Sequence, residues 1–245
     1  MTDAELAAHL AEVADRILMD ERAAGRLNGK ELGQAGDLAA NRFLVEALRE
    51  QRSEDGLLSE EEADDQARLA HRRVWVIDPL DGTREYGEGR SDWAVHVALA
   101  IEGAPVVGAV ALPALDLVLR TDQPVPLAPV PEKLRMVVSR TRPAREAVLV
   151  AEALSAELVP MGSAGAKAMA VVRGEADIYL HTGGQREWDS CAPAAVALAC
   201  GLHASRIDGS PLVYNNADTS IPDLLICRKD QAAAVLAAIK EAAAA

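Results

Sequence analysis

The chain has 245 residues, 50% hydrophobic and 26% charged, a balance that excludes a disordered tail, a collagen-like fibre and a small disulfide scaffold. Its length suits one large domain or two small ones. Thirty-eight acidic residues against twenty-five Lys and Arg leave a formal charge of -13, which argues against nucleic-acid polymers and anionic membranes as partners.

Near the N-terminus, acids stand where an export signal needs basic residues, and the apolar positions are spaced rather than continuous. The longest uncharged apolar stretches, such as 104–115, are shorter than the roughly 18 to 20 residues of a membrane span. Cys191, Cys200 and Cys227 show no C-x-x-C spacing and read as buried thiols in a reducing compartment. A cytoplasmic protein is expected.

Leu6, Leu10, Val13, Ile17 and Leu18 follow Thr2-Asp3 at helical spacing, and Leu38, Phe43, Leu44, Val45 and Leu48 predict a second helix after Gly36-Asp37. Beyond a turn-rich acidic stretch, residues 74–78, 93–101, 105–112 and 116–120 read as strands. They are expected to be largely antiparallel, because their connections are too short for helical crossovers. Residues 123–133 contain four prolines and mark a surface connection. It divides an N-terminal α+β part, 1–130, from a C-terminal α/β part, 131–245, within one compact unit. The second half predicts a strand at 134–139, helices at 143–154 and 164–173, and a strand at 176–180. A helix at 190–202, a strand at 223–227 and a helix at 230–244 follow. Such alternation suggests an α/β layer.

The chemistry concentrates in Val74-Trp75-Val76-Ile77-Asp78-Pro79-Leu80-Asp81-Gly82-Thr83. An apolar strand ends in a carboxylate, Pro79 is expected to force the chain out of the sheet, and a second carboxylate follows three residues after the first. Gly82 and Thr83 then offer backbone N–H groups and a hydroxyl to an anion. A bare Asp-Gly is an ordinary turn, an acidic run such as 60–65 is ordinarily a solvated face, and an Asp before Ser190 is ordinarily a helix cap. Their combination is not ordinary. Glu60, Asp78, Asp81 and Asp189, with the Leu80 carbonyl, suit two Mg²⁺ ions, which take oxygen ligands, waters and substrate phosphate.

The segment D-P-L-D-G-T-R-E-Y, with L-S-E-E upstream and E-W-D-S-C-A downstream, resembles the lithium-sensitive, Mg²⁺-dependent superfamily of inositol monophosphatases, fructose-1,6-bisphosphatases and 3'(2'),5'-bisphosphate nucleotidases. Glu85, Val138-Ser139-Arg140 and the stretch from Gly162 to Tyr179 are similar to the nucleotidase branch, and within it to actinobacterial CysQ proteins. The resemblance implies a layered αβαβα sandwich and two or three Mg²⁺ held by Glu60, Asp78, Asp81, Asp189 and the Leu80 carbonyl. It further implies Gly82 and Thr83 on the scissile phosphate, with Asp37 and Thr83 orienting the attacking water. Where the family usually writes Thr-x-Ala-Asp, this chain has Gln34-Ala35-Gly36-Asp37, so Asp37 also reads as the N-cap of a helix from Leu38. Ser139 and Arg140 at a strand end, Ser163 and Lys167 at a helix start, and Arg186 are candidates for a second phosphate. His96 has no evident acid–base partner and reads as structural; Trp75 and Trp188 read as core.

The implied activity is removal of the 3'-phosphate of adenosine 3',5'-bisphosphate, extending to 3'-phosphoadenosine 5'-phosphosulfate, in sulfate assimilation, by an enzyme that dimerises as superfamily members commonly do. Inositol 1-phosphate and fructose 1,6-bisphosphate are the alternative substrates. A haloacid-dehalogenase-type phosphatase also places D-x-D-G-T after a strand, but Pro79 occupies its nucleophile's position. A catalytically silent metal- or nucleotide-binding regulator would not need the intact set of acids.

Overall fold

A computed structural model describes residues 1–244. Thr2 opens helix α1 (Asp3–Ala23) with a reciprocal cap, its hydroxyl accepting from the Glu5 amide while the Glu5 carboxylate accepts from the Thr2 amide. Helix α2 (Gly29–Gln51) begins well before the expected start after Asp37. Its glycines hide the helical pattern and serve close approach: a Cβ at Gly33 would stand 2.8 Å from Thr83 Cγ2, and one at Gly36 would stand 2.9 Å from Leu18 Cδ2. Asp37 is therefore a mid-helix residue and caps nothing.

The first sheet has the order β1 (Gly56–Ser59), β2 (Arg73–Asp81), β3 (Ala94–Ile101), β4 (Ala104–Leu112), β5 (Leu117–Arg120). Its pairs are antiparallel except β1 with β2, and the short helix α3 (Thr83–Gly87) follows β2. The second sheet draws on β6 (Arg135–Ser139), β7 (Glu157–Met161), β8 (Ile178–Arg186), β9 (His203–Ser205) and β10 (Ser220–Cys227), in the order β7-β6-β8-β10-β9. Residues 124–131 between the sheets carry neither helix nor strand.

Strand alternation distributes the core. Trp75, Ile77, Val95 and Val97 of the first sheet pack with α1 and α2. Val74, Val76, Ala94 and Ala98 face the other way, onto α5 (Ala164–Val172), α6 (Glu187–Ala199) and Val137 and Tyr179 of the second sheet. The far side of that sheet, with Met136, Val138, Ile178 and Leu225, is covered by α4 (Arg145–Ala153) and α7 (Ala232–Ala244). The layers run α-β-α-β-α. Cys191, Cys200 and Cys227 are buried and unbridged, and no helix among the described residues is long and apolar enough to cross a membrane.

The contact between β4 and α6 depends on Gly108, where a Cβ would meet the Ala192 carbonyl oxygen at 2.6 Å. Gly108→Ala should destabilise the fold by about 1 to 3 kcal/mol, as overpacking does. A lowered urea midpoint at unchanged m-value would show it, whereas an unchanged midpoint would mean that α6 is free to shift.

Candidate active site

Residues three apart in a regular strand face opposite sides of a sheet, so Asp78 and Asp81 need a local irregularity to converge. The register supplies it: Asp78 pairs with His96 but Asp81 pairs with Ala94, three residues of β2 against two of β3. Contrary to the expectation for Pro79, the strand is not expelled there; it bulges and continues to Asp81. On α6, which begins at Glu187 rather than 190, Asp189 stands in the first turn. Oxygens of Asp78, Asp81 and Asp189 lie within 4.8 Å of one another.

Their environments differ. Asp81 Oδ2 accepts from the Ser163 hydroxyl and the Gly165 amide, at 2.5 Å each, and Oδ1 accepts from the Ala164 amide at 3.1 Å. Burial alone would raise this carboxyl, but His96, Ser163 and the Gly165 amide outweigh it and hold it below the usual range. Asp78 accepts from the Leu80 amide at 3.0 Å; burial, then Glu60, Asp81 and Asp189, push it far up. Burial and Asp81 raise Asp189 to about 7, although its Oδ2 accepts from the Arg186 amide at 2.6 Å. Glu60 follows β1 at the rim; burial of its carboxyl, then Asp81 and Glu61, raise it against a hydrogen bond with Asp78 that lowers it.

Asp37 is buried on α2. The Thr83 hydroxyl donates to the Leu80 carbonyl at 3.1 Å and lies 3.4 Å from Asp37 Oδ2, while Asp37 Oδ1 has no hydrogen-bond partner. Burial, Glu61 and Glu60 raise its carboxyl to about 8. Gly82, at φ +93°, makes the left-handed turn between Asp81 and Thr83. The site thus gathers Asp37, Asp78, Leu80, Asp81, Gly82, Thr83 and Asp189, with Glu60 at its rim. An all-oxygen donor set whose carboxyls can ionise together only beside positive charge fits a hard cation such as Mg²⁺.

Most of the residues expected on a second phosphate have partners within the protein. Ser163 serves Asp81. Lys167 is buried, donates to the Gly162 and Ser163 carbonyls, and lies 5.4 Å above the Tyr179 ring. Arg140 is held by Glu85 at 2.9 Å and Glu88 at 2.6 Å, and the exposed Arg186 side chain bonds Ser220 at 2.8 Å. Ser139 lines a cavity of about 400 Å³ with Arg142, His181 and Thr182.

His96 corrects the sequence reading: it has an acidic partner, with Nε2 3.3 Å from Asp81 Oδ2 and Nδ1 3.0 Å from the Trp188 carbonyl. Burial lowers its pKa, but Asp81 outweighs that and raises it. A Cβ at Gly165 would overlap the ring. The only available signal was its place on the strand pairing with the Asp78 segment.

The sequence profile of the inositol monophosphatase family matches residues 2–243. The chain belongs to this family. It is 50% identical over 256 aligned residues to a Mycobacterium leprae (strain TN) protein named 3'-phosphoadenosine 5'-phosphate phosphatase, covering 98% of this chain and 94% of the relative. The Escherichia coli (strain K12) 3'(2'),5'-bisphosphate nucleotidase CysQ is 29% identical over 195 residues, covering 74% and 78% of the two chains. The crystal structure of CysQ from Bacteroides thetaiotaomicron, a bacterial member of the same family, matches with a TM-score of 0.81 at 25% identity, over 93% of this chain and 97% of that one. The inositol monophosphatase family is metal-dependent, in keeping with the acidic cluster.

The raised carboxyls make a signed prediction for chelator-treated protein. Asp37 and Asp189, near 8 and 7 when folded against an ordinary 3.8, bind protons in the native state that the unfolded chain releases, so stability falls as pH rises through that window. Asp81, shifted down, adds a loss only at more acidic pH. The urea midpoint should decline from about pH 5 to about pH 8.5, and Mg²⁺ should restore more of it at the higher pH. A flat profile would mean that these acids do not burden the metal-free fold.

Proposed function

We propose that this protein is a Mg²⁺-dependent phosphatase of the cytoplasm that hydrolyses the 3'-phosphate of adenosine 3',5'-bisphosphate to AMP and phosphate. The observation that carries the chemistry is the convergence of Asp78, Asp81 and Asp189 beside Asp37 and Thr83; the named relatives supply the substrate. On this reading 3'-phosphoadenosine 5'-phosphosulfate is a second substrate, two or three ions are used, and Li⁺ inhibits.

Glu60, Asp78, Asp81, Asp189 and the Leu80 carbonyl would hold the metal. When bound, it supplies the positive charge that polarises the phosphate and acidifies water. The Gly82 and Thr83 amides, at the start of α3, meet the scissile phosphate oxygens. Asp37 Oδ1, buried and unpartnered, is placed to take the proton of the attacking water, which Thr83 helps to orient. Water attacks phosphorus in line, the P–O bond to the 3'-oxygen breaks, and no phosphoenzyme forms.

Phosphate release with the bisphosphonucleotide, inositol 1-phosphate and fructose 1,6-bisphosphate tests this. The nucleotide should give a kcat/KM at least about 10-fold above the others, and Asp37→Asn should lower kcat by about 10² to 10⁴ with little change in KM. A preference for inositol 1-phosphate would refute the substrate, and equal release by wild type and Asp81→Asn would remove the site.

A further inference from the structure

Arg68 lies on a short 3-10 helix, Ala67–Ala70, between β1 and β2, and its side chain is only 1% exposed. Its guanidinium forks onto Asp64, with Nε 3.1 Å from Oδ1 and Nη2 2.7 Å from Oδ2. The remaining donors cross to the segment before β10: Nη1 bonds Asn215 Oδ1 at 2.8 Å and Nη2 bonds the Asn216 carbonyl at 2.9 Å. The amides of Asn215 and Asn216 in turn donate to the carboxylate of Glu187 at 2.7 Å each, and Asn216 Nδ2 adds a third bond at 2.9 Å. Glu187 is fully buried and is the first residue of α6, two before Asp189. An unbroken chain of hydrogen bonds therefore runs from the acidic loop after Glu60, through Arg68, to the helix start that presents Asp189.

We propose that Arg68 is a positioning residue for the metal site, fixing the Glu60 loop against the amino end of α6 without touching either ligand. A planar guanidinium offers several donors at fixed angles, so three partners can be held in one geometry; an ammonium on a flexible stem cannot do this. Glu60 needs such a device, since it lies just beyond the end of β1, with its amide on the Ile77 carbonyl of β2 at 3.3 Å. Glu62, bonded to Asn41 and Arg49, anchors the same loop to α2. Arg68 is its link to the other side of the cleft.

The proposal rests on the metal-site reading, and the full-length chain tests the two separately by calorimetric titration with Mg²⁺ alone and by kinetics at saturating Mg²⁺. Arg68→Met should weaken Mg²⁺ binding by about 10-fold or more, the usual scale for residues that orient ligands, while KM for the bisphosphonucleotide stays within about twofold. Arg68→Lys, keeping charge but not the fork, should fall between wild type and Arg68→Met. Asn215 has φ +63°, which glycine adopts freely, so Asn215→Gly removes one partner of Arg68 without backbone strain and should weaken Mg²⁺ binding by about threefold or more. If Arg68→Met fails to fold, Asn215→Gly decides alone, and unchanged Mg²⁺ affinity there overturns the proposal, as it does in a folded Arg68→Met. Wild-type Mg²⁺ affinity in Asp78→Asn would overturn the metal site and this proposal together; a deficient Asp78→Asn beside an unaffected Arg68→Met overturns only the role of Arg68.

Discussion

Asp81 is a buried carboxylate that must stay charged, and the arrangement of the two halves follows from how it is satisfied. An ionised group removed from water is costly unless donors replace the solvent. Here the donors come from outside its own sheet: the Ser163 hydroxyl and the first amides of α5, whose dipole also favours a negative charge at that end. Because α5 lies between the sheets, satisfying Asp81 also docks the second half of the chain onto the first. His96, from the neighbouring strand, stands with Nε2 3.3 Å from Asp81 Oδ2. Lys167, bonded to the carbonyls of the turn that bears Ser163, holds that turn in place.

The remaining acids set the opposite condition. Asp78, Asp189 and Asp37 are raised first by burial and then by neighbouring carboxylates, so the metal-free cleft favours their neutral forms. A chain with a formal charge of -13 is a poor partner for polyanions on average. In this cleft the average misleads, because cations held by the acids would reverse the local field and turn it toward phosphate. On the proposed function, an anionic substrate would then bind after the metal.

Much of this was legible in the sequence, because much of it is local. The strand and turn from Val74 to Thr83 carry two of the proposed metal ligands, a carbonyl, a glycine and a hydroxyl within ten residues, and apolar periodicity marked the long strands. Strands β1, β7 and β9 escaped because three to five residues give too short a pattern. The start of α2 escaped because its glycines answer to Thr83, Leu18 and Tyr86 rather than to helix propensity. Ser163 and Lys167 were visible as polar residues at a helix start, but what they bind was not. The partner of Ser163 lies 82 residues away, and a pattern of serine, glycine and lysine reads equally well as a phosphate site or as a carboxylate clamp.

Glu187 shows what separates a structural acid from a metal-seeking one in the same cleft. It stands two residues from Asp189 at the start of the same helix, and its burial is complete. Three N–H donors from Asn215 and Asn216 surround its carboxyl group, so its oxygens are already met by protein. Asp189 has one such bond, Asp78 has one, and Asp37 Oδ1 has none. Residue type and spacing do not distinguish Glu187 from Asp189; the supply of donors does. At Glu187 the donors let a carboxylate fasten two segments together, while Asp78 and Asp189, short of donors, are open to a cation; Asp81, which accepts three hydrogen bonds, fastens two segments and still belongs to the acidic cluster.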